Sequence, residues 1–267
     1  MRIVPWSEAL PGAAMATVPA AATIGVFDGL HLGHRELVAR VVAKAPGYIP
    51  MAVTFRDNPK KLTRPHQFEG DLFSLEQKLS SLDAAGIQLC VLIDFSGNFS
   101  KLAGSEFVST LVRSFGVRSF VVGSDFKCGH RLSTDARSLG ELARSNGATA
   151  EIVEPVAIEG EAVSSSRIRS AVASGRMDQA LAMLGRPYTL DLRRFETEYD
   201  GTTLIVSLRG HGVVEPAPGT YSVTVICPSG CRDVEATIRH DGSLRWAADG
   251  CTSDVEPSFL AFGPKIA

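Results

Sequence analysis

The chain has little of what usually assigns a protein by composition. None of its 267 residues belongs to an apolar run approaching the ~18 or more that a membrane-spanning helix needs. Cysteine is scarce: Cys90, Cys128, Cys227, Cys231 and Cys251 are odd in number and scattered, which gives neither a disulfide framework nor a four-ligand zinc site. Cys227, Cys231 and Cys251 are read as free thiols rather than three metal ligands. Charge of one sign is lacking as well, with a formal net charge of −2 and a pI near 6.3. No general attraction to nucleic acid or to an anionic membrane follows, so a phosphate-bearing partner has to be met by a local site and is expected to be small. The alanine-rich stretch 13–22 is interrupted by Pro19, preceded by Glu8 and continuous with a strand pattern. It is therefore not read as a signal sequence, and the expected location is cytoplasmic.

What is present is ordinary globular material, 45% hydrophobic and 21% charged. The length suits one large domain or two unequal ones. The most informative stretch is Ala22-Thr-Ile-Gly-Val-Phe-Asp-Gly-Leu-His-Leu-Gly-His-Arg-Glu-Leu-Val38. A β-branched apolar run (Thr23, Ile24, Val26) predicts a buried strand, Asp28-Gly29 predicts a turn, and Leu37, Val38, Val41 and Val42 recur at helical spacing. Strand, tight turn and helix place free backbone N–H groups and the positive end of a helix dipole at the carboxyl edge of a sheet, where an anion can sit. His31 and His34, three apart, can then aim both imidazoles at one spot and donate to phosphate oxygens. Gly33 leaves room for the phosphate to approach the backbone. A zinc pair would prefer histidines four apart with a third ligand nearby, and two exposed surface histidines remain the plain alternative.

The rest of the first two thirds reads as a βαβ series. Strands are predicted at 48–55, 88–95, 117–122 and 148–154, with helices at 74–86, 100–114 and 135–145. This implies a parallel sheet covered on both sides, with ligand at the carboxyl ends of its strands. Residues 56–73 show no periodicity and carry Arg56, Lys60, Lys61 and Arg64; they are read as a lid. In Gly123-Ser-Asp-Phe-Lys-Cys-Gly-His130, Asp125 is placed to accept from a ribose or base while Lys127 and Arg131 supply charge. Val163-Ser-Ser-Ser-Arg-Ile-Arg169 opens a further helix, where serines serve as caps and Arg167 and Arg169 make a phosphate cradle. Beyond Tyr188 the pattern changes to short apolar alternations at 202–208, 221–227, 234–238 and 243–246, predicting a small antiparallel β domain.

Gly25-Val-Phe-Asp-Gly-Leu-His-Leu-Gly-His34 resembles the signature of the H-x-G-H nucleotidyltransferases and, among them, of the prokaryotic FAD synthetases, bifunctional riboflavin kinase/FMN adenylyltransferases. The similarity extends to Ser165-Ser-Arg-Ile-Arg169, where the family carries S-S-T-x-I-R, and to Met183-Leu-Gly-Arg-Pro-Tyr188. It departs from the family at Thr54-Phe-Arg-Asp-Asn-Pro59, where the family has T-F-x-P-H-P, and at Cys128, which stands for a phenylalanine on the flavin side. The resemblance implies a Rossmann-like nucleotidyltransferase domain over 1–188 and a degenerate riboflavin-kinase-like β domain over 189–267. It implies transfer of AMP from ATP, with Mg²⁺, to FMN. His31, His34 and Arg169 are then the expected catalytic residues, with Ser165, Ser166 and Arg169 holding the β- and γ-phosphates. The expected binding set is Gly25, Phe27, Asp28, Gly33, Asn58, Asp125, Cys128, Ser165, Ser166 and Arg167; Asp28 is either a turn former or an ATP contact. The family's G-x-P-T-A-N kinase element is absent between 189 and 267, so riboflavin kinase activity is expected to be lost. Two alternatives stand beside this reading: nucleotide transfer to another phosphorylated acceptor, and a non-catalytic flavin- or nucleotide-binding protein.

Overall fold

Six parallel strands form the first sheet, in the order Arg2–Pro5, Leu89–Ile93, Ile49–Phe55, Ala20–Ile24, Val117–Gly123, Thr149–Val153. The structure is a computed structural model that describes residues 1–8, 18–248 and 257–266. By chain contacts it divides into two units, Met1–Pro65 with Lys78–Ala157 and His66–Gln77 with Ile158–Ala267. The expected division at 188 follows the change from helical to strand pattern, whereas the contacts follow packing and join 158–188 to the second unit.

Strands Ala20–Ile24, Ile49–Phe55 and Leu89–Ile93 have almost no exposed position, as a sheet covered on both faces requires. Helices Leu32–Val42, Gly104–Ser114 and Ala136–Ser145 supply the cover, and Phe107, Leu111, Phe115, Phe120 and Leu139 fill the space between. Strand order runs outward from Ala20–Ile24 in one direction through Ile49–Phe55 and Leu89–Ile93. It runs in the other through Val117–Gly123 and Thr149–Val153. The order therefore reverses between Ala20–Ile24 and Val117–Gly123, and the crevice outside their carboxyl ends is where such sheets bind ligands. The edge strand Arg2–Pro5, too short to show a pattern, was not legible in the sequence.

The second unit holds helices Ser165–Ala173 and Met177–Leu184 and a seven-stranded antiparallel sheet. Its order is Tyr188–Asp191, Phe259–Lys265, Gly219–Cys227, Gly230–Ile238, Ser243–Ala247, Thr203–Ser207, Thr197–Tyr199. The two edge strands are successive in the chain, joined by the turn Leu192–Arg194. Six residue steps reach at most about 20 Å, while a flat sheet of seven strands would separate its edges by about 29 Å. The sheet must curl, and Tyr221, Phe262, Trp246 and Leu244 are buried within it.

Residues 56–73 are not the structureless lid that the sequence suggests. They contain the helix Lys60–Thr63 and the turn Pro65–Gln67. From His66 onward they belong to the second unit, where Asp71 bridges to Val213 and a Cβ on Gly70, at φ +102°, would lie 2.4 Å from the Val213 carbonyl carbon. Backbone bonding to an irregular segment about 140 residues later leaves no periodic trace in the sequence.

Candidate active site

The motif loop leaves strand Ala20–Ile24 at the carboxyl edge and turns sharply. Phe27 (φ 51°), Gly29 (φ 82°) and Leu30 (φ 37°) all take positive φ. For Phe27 and Leu30 this costs on the order of 1–3 kcal/mol each, offset by burying both side chains almost completely. Gly25 makes the turn possible, since a Cβ there would lie 3.0 Å from the folded-back Phe27 ring. The backbone N–H of Gly25 donates to the Val53 carbonyl at 3.0 Å. The Thr54 hydroxyl donates to the Val26 carbonyl at 3.1 Å, tying the loop to the neighbouring strand.

His31 is the N-cap of helix Leu32–Val42, and its Nδ1 accepts from the backbone N–H of His34 at 3.3 Å. A ring nitrogen that accepts carries no proton, so in its neutral form His31 carries its proton on Nε2, the donor nitrogen of this tautomer. The two imidazoles stack with centroids 3.6 Å apart and planes 17° from parallel. Phe27, fully buried, meets His34 edge-on at 5.2 Å, so its ring supports the histidine from behind. The Nδ1 atom of His34 is covered and has no hydrogen-bond partner among the described residues. Burial pushes the His34 pKa well below the ordinary histidine value; repulsion from charge on His31 and the ammonium of Lys78 push it the same way. His34 is therefore neutral at physiological pH, and what it offers is an imidazole donor rather than fixed positive charge.

Around this loop the same sheet edge carries the other expected residues of the first unit. Asp28 is buried and Gly33 lies in the first turn of the motif helix. Asn58, 6% exposed, accepts through Oδ1 from the backbone N–H of Lys60, just before the helix Lys60–Thr63, whose N-cap is Pro59. Asp125 is exposed beyond strand Val117–Gly123, folded back so that a Cβ on Gly123 would lie 2.8 Å from its Oδ1. Cys128 is half-buried, and burial raises its thiol pKa to about 12, leaving it inert as a nucleophile. It, Cys90 and Cys231 are free thiols; Cys251 lies outside the described residues.

Ser165, Ser166, Arg167 and Arg169 lie in the second unit. The cap of helix Ser165–Ala173 is Ser164, whose hydroxyl accepts from the N–H of Arg167 at 3.3 Å, so Ser165 and Ser166 open the first turn. Arg167 donates to the carbonyls of Glu161 and Ala162 and pairs with the Glu161 carboxylate at 3.1 Å. Arg169 is 4% exposed, and its Nε donates to the Gly70 carbonyl at 2.8 Å.

Two features escaped the sequence reading. Phe55, Phe95 and Phe99 form a half-buried edge-to-face cluster with centroids about 6 Å apart, at the carboxyl ends of strands Ile49–Phe55 and Leu89–Ile93. Lys78, 5% exposed, donates from Nζ to the Phe55 carbonyl at 2.7 Å. A signal for the second existed, because Leu75, Lys78 and Leu82 share one helical face.

Among the described residues no helix is long and apolar enough to cross a membrane, and no group of three or more His, Cys, Asp or Glu side chains is placed to hold a metal ion. Residues 14–167 match the model of the FAD synthetase family. The bifunctional riboflavin kinase/FMN adenylyltransferase of Haemophilus influenzae is 29% identical over 79% of this chain and 70% of its own length. That of Pseudomonas fluorescens is 30% identical over 76% of this chain and 67% of its own. A solved structure described as a macrolide-efflux protein from Streptococcus pneumoniae shares the fold at 22% identity, with a TM-score of 0.83 over 100% of this chain and 91% of that one.

Proposed function

Because this chain belongs to the FAD synthetase family, we propose that it makes FAD by transferring AMP from ATP to FMN, releasing pyrophosphate. The observation that carries this reading is the stacked His31–His34 pair, with His34 held neutral by burial, at a helix N-terminus on the switch point of a doubly wound sheet. The acceptor is a phosphate monoester, so the step is an in-line attack of an FMN phosphate oxygen on the α-phosphorus of ATP. The bond to the bridging oxygen of pyrophosphate breaks, and no covalent enzyme intermediate is needed. Catalysis then rests on position and on charge stabilisation. The Nε2–H of His31 and a ring N–H of His34 donate to the oxygens of the transferring phosphate, where negative charge accumulates. A neutral donor that strengthens as charge develops favours the transition state over the ground state.

ATP-dependent nucleotidyltransferases require a divalent metal, and here Mg²⁺ enters as part of the MgATP substrate. A small hard cation that keeps its waters and takes phosphate oxygens needs no cage of protein ligands. Residues 1–188 form the transferase domain in this reading. The family resemblance assigns the β- and γ-phosphates to Ser165, Ser166, Arg167 and Arg169, all of them in the second unit. Asp125 accepts from the nucleotide. The aromatic cluster Phe55, Phe95 and Phe99 supplies the apolar surface that a flavin ring system requires, in the region where Cys128 has lost the family's ring. Chromatography of products from purified protein with ATP, Mg²⁺ and FMN tests the reading. FAD and pyrophosphate in equal amounts are expected, and an adenylylated product with another phosphate monoester but none with FMN would overturn it.

A further inference from the structure

Helix Leu75–Ala84 carries a lysine on its buried face. Lys78 lies between Leu75 and Leu82 at spacings of three and four; Leu82 is fully buried and Lys78 only 5% exposed. A lysine is almost never buried to that extent unless its charge is used. Its Nζ donates at 2.7 Å to the carbonyl of Phe55, the last residue of strand Ile49–Phe55. That strand end is bonded in turn to the motif loop, through the Gly25 N–H on Val53 and the Thr54 hydroxyl on Val26, and Phe27 of the loop backs His34. An unbroken series of contacts thus joins the ammonium to the catalytic imidazole.

We propose that Lys78 is a positioning residue for adenylyl transfer, its buried ammonium fixing the end of strand Ile49–Phe55 and with it the loop that carries His31 and His34. The proposal rests on the adenylyltransferase reading above, and it adds a residue that lies outside every motif of the sequence. Lys78 has a second effect through space, since its charge opposes protonation of His34. Asp28, buried in the motif loop, His31 and Cys90 are the other titratable groups nearby in the fold. His31 stands on the same helix as its cap. Cys90, on strand Leu89–Ile93, is held neutral by burial, which raises its thiol pKa to about 12 against the smaller opposing effect of Lys78. Removing the ammonium therefore both loosens the strand end and lets His34 take up a proton at higher pH.

The test uses the full chain and two substitutions. K78Q keeps a donor for the Phe55 carbonyl and deletes the charge; K78M deletes both. NMR titration of the His34 ring is expected to show its midpoint moving to higher pH in each variant. FAD formation is expected to lose kcat by roughly 10- to 100-fold in K78M, the range of a small misplacement at a reacting centre, with a smaller loss in K78Q and with KM for ATP little changed. A folded K78Q whose His34 midpoint stays at the wild-type value overturns the proposal, as does a K78M that retains kcat to within about twofold. Should K78M fail to fold, K78Q decides alone. If the wild-type protein makes no FAD, the function reading falls separately, and the His34 titration still decides whether Lys78 governs the pair.

Discussion

His31 and His34 have different jobs although they stack as a pair. The His34 ring packs on His31 and Phe27, and its Nδ1 makes no hydrogen bond among the described residues. His34→Ala should therefore lower kcat by about 10²–10³-fold, the usual cost of one lost transition-state donor, while KM for ATP changes little; steady-state kinetics in both substrates check this, and an unchanged kcat refutes the role. His31 also caps a helix, so His31→Ala should cost about 1 kcal/mol of stability as well as rate. His31→Asn keeps a cap acceptor and should restore the thermal midpoint without restoring kcat. If both return together, capping alone explains the residue. The depressed His34 pKa also fixes a pH effect. Below the ordinary histidine value of about 6.5 the unfolded chain binds a proton that folded His34 refuses, so stability falls as pH drops from there toward the folded pKa. Urea unfolding at a series of pH values should show this slope in the wild type and a shallower one in His34→Gln.

Elements in this protein are held by bonds that cross long stretches of sequence. Helix Leu75–Ala84 starts with a capping box, in which the Ser74 N–H donates to Gln77 Oε1 at 2.9 Å and the Gln77 N–H donates to the Ser74 hydroxyl at 3.0 Å. The same hydroxyl donates to Asp191 at 2.7 Å, and Asp191 receives Arg193 through two further bonds. Gln77 in addition donates to the Thr189 carbonyl. Burial raises the Asp191 pKa, but the bonds from Arg193 and Ser74 together more than offset this and hold it below the usual carboxylate range. Asp191→Ala should cost on the order of 1–3 kcal/mol, because it leaves a buried hydroxyl and a guanidinium without their acceptor. The charged carboxylate contributes stability above the unfolded pKa of about 3.9 and loses it as pH falls through the lower folded value. Acid unfolding followed by circular dichroism should therefore be shallower in the variant, and equal curves would show that Asp191 is not a fastener of this helix.

For the whole molecule the antiparallel domain carries the prediction, because the sequence leads to the expectation that it has lost riboflavin kinase activity. Phosphoryl transfer depends on positioning ATP, its metal and the acceptor hydroxyl, and residues 189–267 contain no glycine-rich phosphate loop and no Pro-Thr-Ala-Asn segment. The glycine turns at Asp200-Gly201 and Asp241-Gly242 close hairpins, with the Asp200 carboxylate accepting from the backbone N–H groups of Thr202 and Thr203 and the Asp241 carboxylate from that of Ser243. Turn geometry accounts for both. The expected outcome is that riboflavin with MgATP yields no FMN under conditions where FMN yields FAD. FMN formed at a comparable rate, and abolished by removing 189–267, would reveal a site in this domain.

The sequence by itself determined the local chemistry. Strand, turn and helix around His31 and His34 follow from β-branched residues, Asp-Gly and a change of period, and the βαβ alternation was enough to imply a parallel sheet. The strands at 203–207 and 243–247 were legible for the same reason, since each alternates over its own few residues. What the sequence could not determine was everything carried by contact between distant segments. The strands Arg2–Pro5 and Phe259–Lys265 are set by their neighbours, the segment 66–77 is held by Val213, Thr189 and Asp191, and the spacing that puts Lys78 on an apolar helical face does not say that its ammonium meets the Phe55 carbonyl. Periodicity records which face of an element is buried; only the tertiary structure decides what it is buried against, because that depends on strand order and register, and neither is written in the period of any one element.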